Sequence, residues 1–307
     1  KWNETFNLLK VEGGTHEQQR TFYSAFYRSV IFPHRFFEFD ASNKPVYFSP
    51  FDGKLHEGYL YTDTGLWDTF RASHPLYNIL FPEISAQIMQ GMLAAYDQSG
   101  WLPSWSSPGH RACMIGNHSF SLFADAWVKG VRDFDANKAL DAMVHDANHQ
   151  SPDFCNAIGR DGAEFYKKLG YAPYPNVKEA TAKTLEYAYN DFCAAVVAKQ
   201  LGRKPEMEAF AKTAMNYTKV FDEKLGFVRG RKENGEWCEN FDPTEWGGPF
   251  TEGCSWHWTW SVFQDVPGLI KLLGGDEAFG KKLDAVFYTP PDVNVGTYGR
   301  MSHEMTE

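Results

Sequence analysis

The stretch Thr184-Leu185-Glu186-Tyr187-Ala188-Tyr189-Asn190-Asp191, continuing through Ala194-Ala195-Val196-Val197-Ala198 to Leu201-Gly202, decides the fold class. It belongs to a run from Val177 to Leu201 that Gly202 stops, which predicts one long helix. A second helix is expected from Glu206 to Phe221, entered through Pro205. Two helices in direct succession set the pattern that the rest of the chain repeats.

Upstream, Thr15-His16-Glu17-Gln18 has the form of a capping box. Phe22, Tyr23, Phe26, Tyr27 and Val30 then recur at helical spacing, and Pro33 ends or bends that helix. Further helices are expected over about 66–80 with a bend at Pro75, from Pro82 to Ser99 before Gly100, and over 117–131 ending near Gly130. Others are expected from Ala136 to about His149, and near 162–169 before Gly170. Two more follow near 253–273 and 276–287, with Gly274-Gly275 between them. Residues 34–65, 101–116 and 223–251 read as long loops, the first with a hairpin near Val46-Tyr47-Phe48. Hardly any strand pattern remains. The expected class is all-α, an α/α toroid or antiparallel array whose long aromatic-rich loops converge at one rim on a cleft.

Composition limits the function. The chain has 307 residues, formal charge −9 and no Lys/Arg cluster, which argues against a nucleic-acid partner. No apolar run reaches the length of a membrane span. The five cysteines form no Cys-x-x-Cys pair, so they indicate neither a zinc site nor a dense disulfide frame. Aromatic residues make up 16% of the chain, including 10 Trp. Most must be core, yet the excess also suits a site that stacks against sugar rings.

The segment Phe250-Thr251-Glu252-Gly253-Cys254-Ser255-Trp256-His257-Trp258-Thr259-Trp260 carries the sharpest chemical signal. A carboxyl group among three indoles is expected to lose solvation of its charged form and stay protonated near neutral pH. Such an acid beside flat apolar surface suits glycosidic bond cleavage. The plainer account makes the indoles core and Glu252 part of a helix start. Asp68, in Trp67-Asp68-Thr69-Phe70-Arg71, stands near a positive helix end, where its anion can accept hydrogen bonds from sugar hydroxyls. Arg71, three residues on, shares its face and orients it, although an ordinary intrahelical ion pair accounts for both. Trp105, in a proline-bounded polar loop, is a candidate platform or a loop anchor. Asn117 reads as a helix cap and Asp125 as a candidate cleft residue. Glu186 and Asn190 share one face of the long helix, with a solvated face as the default. His303 and Glu304 are further candidates. No phosphate loop, nucleophile elbow or His-Glu-x-x-His motif is present.

Several blocks together resemble glycoside hydrolase family 92. They are Tyr61-Thr62-Asp63-Thr64-Gly65-Leu66-Trp67-Asp68-Thr69-Phe70-Arg71 with His74-Pro75-Leu76; Met114-Ile115-Gly116-Asn117-His118; Leu169-Gly170-Tyr171; Thr184 to Tyr189; and Thr251-Glu252-Gly253. They keep the family's order across nearly the whole chain. The resemblance implies an inverting, calcium-dependent exo-α-mannosidase with a β-sandwich domain followed by an (α/α)6 toroid. It implies Glu252 as general acid and Trp67 and Asp68 as mannose contacts, with Trp105 and Arg71 added from the residue-level reading. Terminal α-linked mannose, with α-1,2 linkage, is the expected substrate on a glycan partner, and an extracellular or periplasmic location goes with it. Residues 1–307 then read as part of a single toroid domain, incomplete and inactive alone. The β-sandwich, the general base and most calcium ligands are expected outside this chain. Cys254-Ser255-Trp256-His257 departs from the Asn-Ala-Trp-Gln of many relatives, which leaves linkage preference open. A mannose-binding module without catalysis, another α/α-toroid glycosidase and a structural helical repeat are the alternatives. Oligomeric state is not legible.

Overall fold

The computed structural model describes residues 2–289 and two short paired strands, 293–294 and 300–301. His303 and Glu304 lie outside the described residues. Helices dominate, as expected, and short antiparallel strands recur in the loops between them. The described residues fall into two compact units. One contains the described residues up to Cys113, with His118–Ala142 and Pro152–Ala157; the other contains Met114–Asn117, Met143–Ser151 and the described residues from Ile158 onward. Among the described residues, no helix is long and apolar enough to cross a membrane.

In the first unit, the capping box forms as its residues require. Thr15 Oγ1 accepts from the Gln18 amide at 3.2 Å, and Gln18 Oε1 accepts from the Thr15 amide at 2.8 Å. The helix His16–Ser29 follows and packs Tyr23 and Phe26 edge-on against Phe6. The loop 34–65 is more ordered than expected. Strands Glu38–Phe39, Pro45–Phe48 and Leu55–Glu57 form a three-stranded antiparallel sheet. Asp40 Oδ1 accepts the amides of Ser42 and Lys44, both at 2.8 Å, which closes the first turn.

The helix expected over 66–80 is two helices, Leu66–Thr69 and Ser73–Leu80. Pro75 is the cause, but the break falls before it. Its ring cannot tolerate the carbonyl four residues earlier in a continuous helix, so the chain leaves helical geometry around Ala72 and restarts with Pro75 in a first turn. Pro82–Ser99 matches its expectation, and Gly100 ends it at φ 83°.

Two buried imidazoles in this unit make its stability depend on pH. Burial pushes His74 and His110 down, each to about 4. The unfolded chain takes up these protons at about 6.5. Between those values the unfolded state binds more protons, so stability falls as pH drops from about 6.5 towards 4, by at most about 1.4 kcal/mol per pH unit for each group. Chemical unfolding at pH 7, 5.5 and 4.5 should show that slope, and His74→Met with His110→Met should flatten it.

The second unit is built on the helix Ala180–Gln200, against which Lys204–Thr213 packs. Gly202, at φ 73°, follows the first of these helices, as expected. The next segment tightens into a 3-10 helix, Ala214–Val220. The long helix is buried almost all round, with Ala180, Ala182, Ala188, Ala194 and Ala198 giving its neighbours close approach. Glu186 and Asn190 are therefore buried, not solvated. Asn117 is not a helix cap: its amide N–H donates to Asn190 Oδ1 at 2.7 Å and its Nδ2 to the Gly159 carbonyl at 2.8 Å. The helix expected over 253–273 is also divided, into Ser255–Trp258 and Val266–Leu272. Pro267 lacks an N–H and requires a fresh start, which Asp265 caps by accepting from the Gly268 amide at 3.0 Å.

Candidate active site

Two candidate substrate residues of the first unit, Asp68 and Trp105, meet over one bare Cα. Strand Thr64–Gly65 pairs antiparallel with Trp105–Ser106, setting Gly65 opposite Trp105. The Asp63 amide donates to the Ser106 carbonyl at 2.9 Å and the Leu66 amide to the Ser104 carbonyl at 3.1 Å, which locks the register. Gly65 has ordinary extended backbone, so its glycine serves space, not conformation. A Cβ there would lie 2.4 Å from Trp105 Cζ3 and 2.7 Å from Asp68 Oδ2. The indole and the carboxylate thus crowd the same side of one residue. Trp105 is half-buried and Asp68 exposed, so both remain open to solvent. An apolar ring beside a charged acceptor is the pairing that a sugar's C–H face and hydroxyl rim call for.

The sequence offered no local signal for Gly65 in this role, because Trp105 lies 40 residues away. Gly65→Ala should force the indole aside, at a cost of roughly 1–3 kcal/mol of overpacking. Thermal unfolding should report that loss. KM for a mannoside should rise with it if the pair binds substrate.

Arg71 acts differently from its helical expectation. The helix ends at Thr69, so Arg71 leaves Asp68's face. Its guanidinium lies over the Trp67 ring at 4.1 Å and over Phe70 at 4.8 Å. Phe70 in turn stacks on buried His118, centroids 4.0 Å apart and planes 9° from parallel. Arg71 therefore braces the Trp67 ring and the Phe70 ring alike. Asp125 forms a local network, accepting from Asn78 Nδ2 and from Lys129 Nζ, each at 2.7 Å.

Glu252 belongs to the second unit. The expected ring-lined enclosure is not what the described residues form. Each indole turns to the interior, and the Glu252 side chain is exposed. Trp258 donates from Nε1 to the Thr251 carbonyl at 2.8 Å. Trp256 meets Phe227 edge-on at 4.7 Å, and Trp260 meets Phe279 at 5.6 Å. Alternate tryptophans entering a short helix face different ways, which a list of neighbours in sequence does not show. The rings support the turn that presents the acid.

That turn is unusual in its backbone. Glu252 has φ 41°, left-handed territory that a non-glycine side chain rarely adopts, and it sits between buried Thr251 and buried Gly253. The neighbours hold it there. The Gly247 amide donates to the Gly253 carbonyl at 2.8 Å, and Ser255 Oγ donates to the Val228 carbonyl at 2.6 Å. A Cβ at Gly253 would approach Trp258 Nε1 to 3.1 Å, so this glycine clears the indole that clamps the turn. Flexibility is not its role.

Among the described residues, no three His, Cys, Asp or Glu side chains converge to hold a metal ion. Calcium takes six to eight oxygen ligands. The described residues of this chain do not themselves fit such a site.

The glycosyl hydrolase family 92 catalytic domain matches residues 1–306. The chain is similar to the family 92 inverting mannosidase BT2199 of Bacteroides thetaiotaomicron, at 52% identity and TM-score 0.91, over 100% of this chain and 41% of that one. It is similar to the family 92 α-mannosidase BT3965 of the same organism, at 33% identity and TM-score 0.82, over 94% of this chain and 38% of that one. The latter protein has also been solved in complex with mannoimidazole. An uncharacterized secreted glycosidase of Arthroderma benhamiae is 27% identical over 92% of this chain and 36% of its own length. The chain thus spans about two fifths of the length of these relatives.

Proposed function

This chain belongs to glycosyl hydrolase family 92, and from that premise we propose that it is the acid-bearing part of an exo-α-mannosidase that releases terminal α-linked mannose with inversion. The similarity to an inverting mannosidase and to an α-mannosidase supports the reaction class. The observation that carries the reading to a residue is the strained, clamped turn that presents Glu252 to solvent. Backbone strain persists where surrounding structure over-determines it, and it concentrates at functional sites.

In the proposed reaction Glu252 donates its proton to the departing glycosidic oxygen. A carboxylate beyond this chain takes a proton from the attacking water on the opposite face of the sugar. Inversion sets the two carboxyls roughly 6.5–9.5 Å apart, leaving room for that water. Asp68 accepts hydrogen bonds from mannose hydroxyls, Trp105 offers an apolar face, and Arg71 holds Trp67 as a second aromatic surface. The (α/α)6 toroid, the α-1,2 preference and an extracellular or periplasmic location complete the proposal. A secreted relative supports the last of these. Calcium dependence is part of it too, with ligands supplied outside the described residues.

The assay is mannose release from an α-1,2-mannobioside by the full-length polypeptide, with the first-formed anomer read by proton NMR. β-Mannose as initial product, lost on chelation and restored by calcium, is expected. Initial α-mannose, or no release with calcium present, would overturn the reading.

A further inference from the structure

We propose that His257 is a positioning residue for Glu252, its imidazole fixing the turn that presents the acid; this rests on the role of proton donor given to Glu252 above. His257 is the third residue of the short helix Ser255–Trp258 that follows the turn. The Cys254 amide lies 3.1 Å from His257 Nδ1. An amide N–H can only donate, so Nδ1 accepts and carries no proton. This is one half of a capping box, and the His257 amide, donating to the Cys254 side chain, is the other. Cys254 Sγ also lies 3.1 Å from Nδ1. Burial pushes that thiol up to about 11, so it is a neutral thiol and not the thiolate that a nucleophilic cysteine requires.

The peptide unit joining Gly253 to Cys254 is pinned at both poles. Its carbonyl accepts from the Gly247 amide at 2.8 Å, and its N–H donates to His257 Nδ1. On the other side of the acid, the Thr251 carbonyl accepts from Trp258 Nε1 at 2.8 Å. Glu252, at φ 41°, stands between these two held peptide units. A side chain stays in left-handed geometry only where its surroundings over-determine it. Two of the anchors here are the side chains of adjacent residues, His257 and Trp258. Trp246 meets the imidazole edge-on at 5.6 Å and keeps it in place. The box is built like the one that opens the helix His16–Ser29, where Gln18 Oε1 accepts from the Thr15 amide at 2.8 Å. A glutamine can therefore take over the acceptor role of His257, whereas a methionine of similar length offers only a weak sulfur acceptor.

The test compares kcat and KM of the full-length enzyme with those of His257→Met, His257→Gln and Glu252→Gln, on an α-mannobioside and on aryl α-mannosides of graded leaving-group acidity. His257→Met should lower kcat on the mannobioside by about 10–100-fold, the scale of misplacing a catalytic group by an ångström, with KM little changed. Its deficit should shrink as the phenol becomes more acidic, as for Glu252→Gln, because a good leaving group departs without a proton. His257→Gln should restore most of the parental kcat. An equal deficit of His257→Met across the series, beside a graded one for Glu252→Gln, would show a merely structural role and overturn this proposal alone. Parental kinetics in His257→Met, or no recovery in His257→Gln, would do the same. An equal deficit in Glu252→Gln would overturn the proton-donor reading and this proposal with it. If His257→Met does not fold, as circular dichroism would show, His257→Gln decides: parental kinetics are expected, and a loss like that of Glu252→Gln overturns the proposal.

Discussion

Glu252→Gln in the full-length enzyme should lower turnover of an α-mannobioside by about 10²- to 10⁴-fold, the usual contribution of a positioned general acid. The amide keeps the shape and cannot supply the proton. Because the side chain is exposed, the folded state should be left intact, and thermal unfolding should coincide with the parent. Mannose binding should be little changed, so the loss should fall on kcat and not on KM. Glu252→Gly separates strain from chemistry. At φ 41° a glycine relieves a left-handed conformation that costs a side chain roughly 1–2 kcal/mol, so this variant should be more stable and equally inactive. Such a pairing, stability gained and activity lost at one residue, would mark the turn as retained for its chemistry.

The second large effect concerns the core of the second unit, to which Glu252 also belongs. Arg160 and Asp191 form an ion pair at 2.7 Å with side chains only 3% and 1% exposed. Asp191 also accepts from the Tyr166 hydroxyl at 3.3 Å, and burial pushes that phenol well up, keeping it a donor. The guanidinium lies over the Tyr187 and Tyr166 rings, at 4.7 and 5.0 Å. Removing one partner strands the other charge away from water. Asp191→Ala should therefore cost about 3–5 kcal/mol, measured by urea unfolding of the purified protein. Replacing both partners, Arg160→Met with Asp191→Leu, removes the stranded charge and should recover most of that loss. If the double variant is no better than Asp191→Ala, packing and not charge governs the site.

The helices were legible where punctuation is local. Thr15 and Gln18, Pro82, and the glycines at 100, 170 and 202 each act within a turn of their own position, so their neighbours in sequence suffice. Pro75 was legible as a disruption but not as to place, because its clash is with a carbonyl four residues back. The hairpin at Val46-Tyr47-Phe48 was legible, whereas the other strands of the long loops were not, since most pair over two or three residues and leave no alternation to detect. Glu186 and Asn190 misled for a related reason. A helix buried all round loses the contrast between faces from which burial is inferred.

The site was half legible. Asp68 and Glu252 stand out by residue type and by resemblance to a family, and Trp105 by its place in a proline-bounded polar loop. That Asp68 and Trp105 share the space over Gly65 depends on a strand pairing between distant segments. The direction of the three indoles was misread, because a tryptophan near an acid in sequence need not face it in space. The strained turn at Glu252 leaves no trace in sequence.

The proton-donor claim for Glu252 is tested most directly by comparing the enzyme and its Glu252→Gln variant on aryl α-mannosides of graded leaving-group acidity. The account predicts a rate nearly independent of the leaving group in the parent. In the variant the dependence should be steep, vanishing as a deficit with the most acidic phenols, which depart without a proton. An equal loss across the whole series would contradict it.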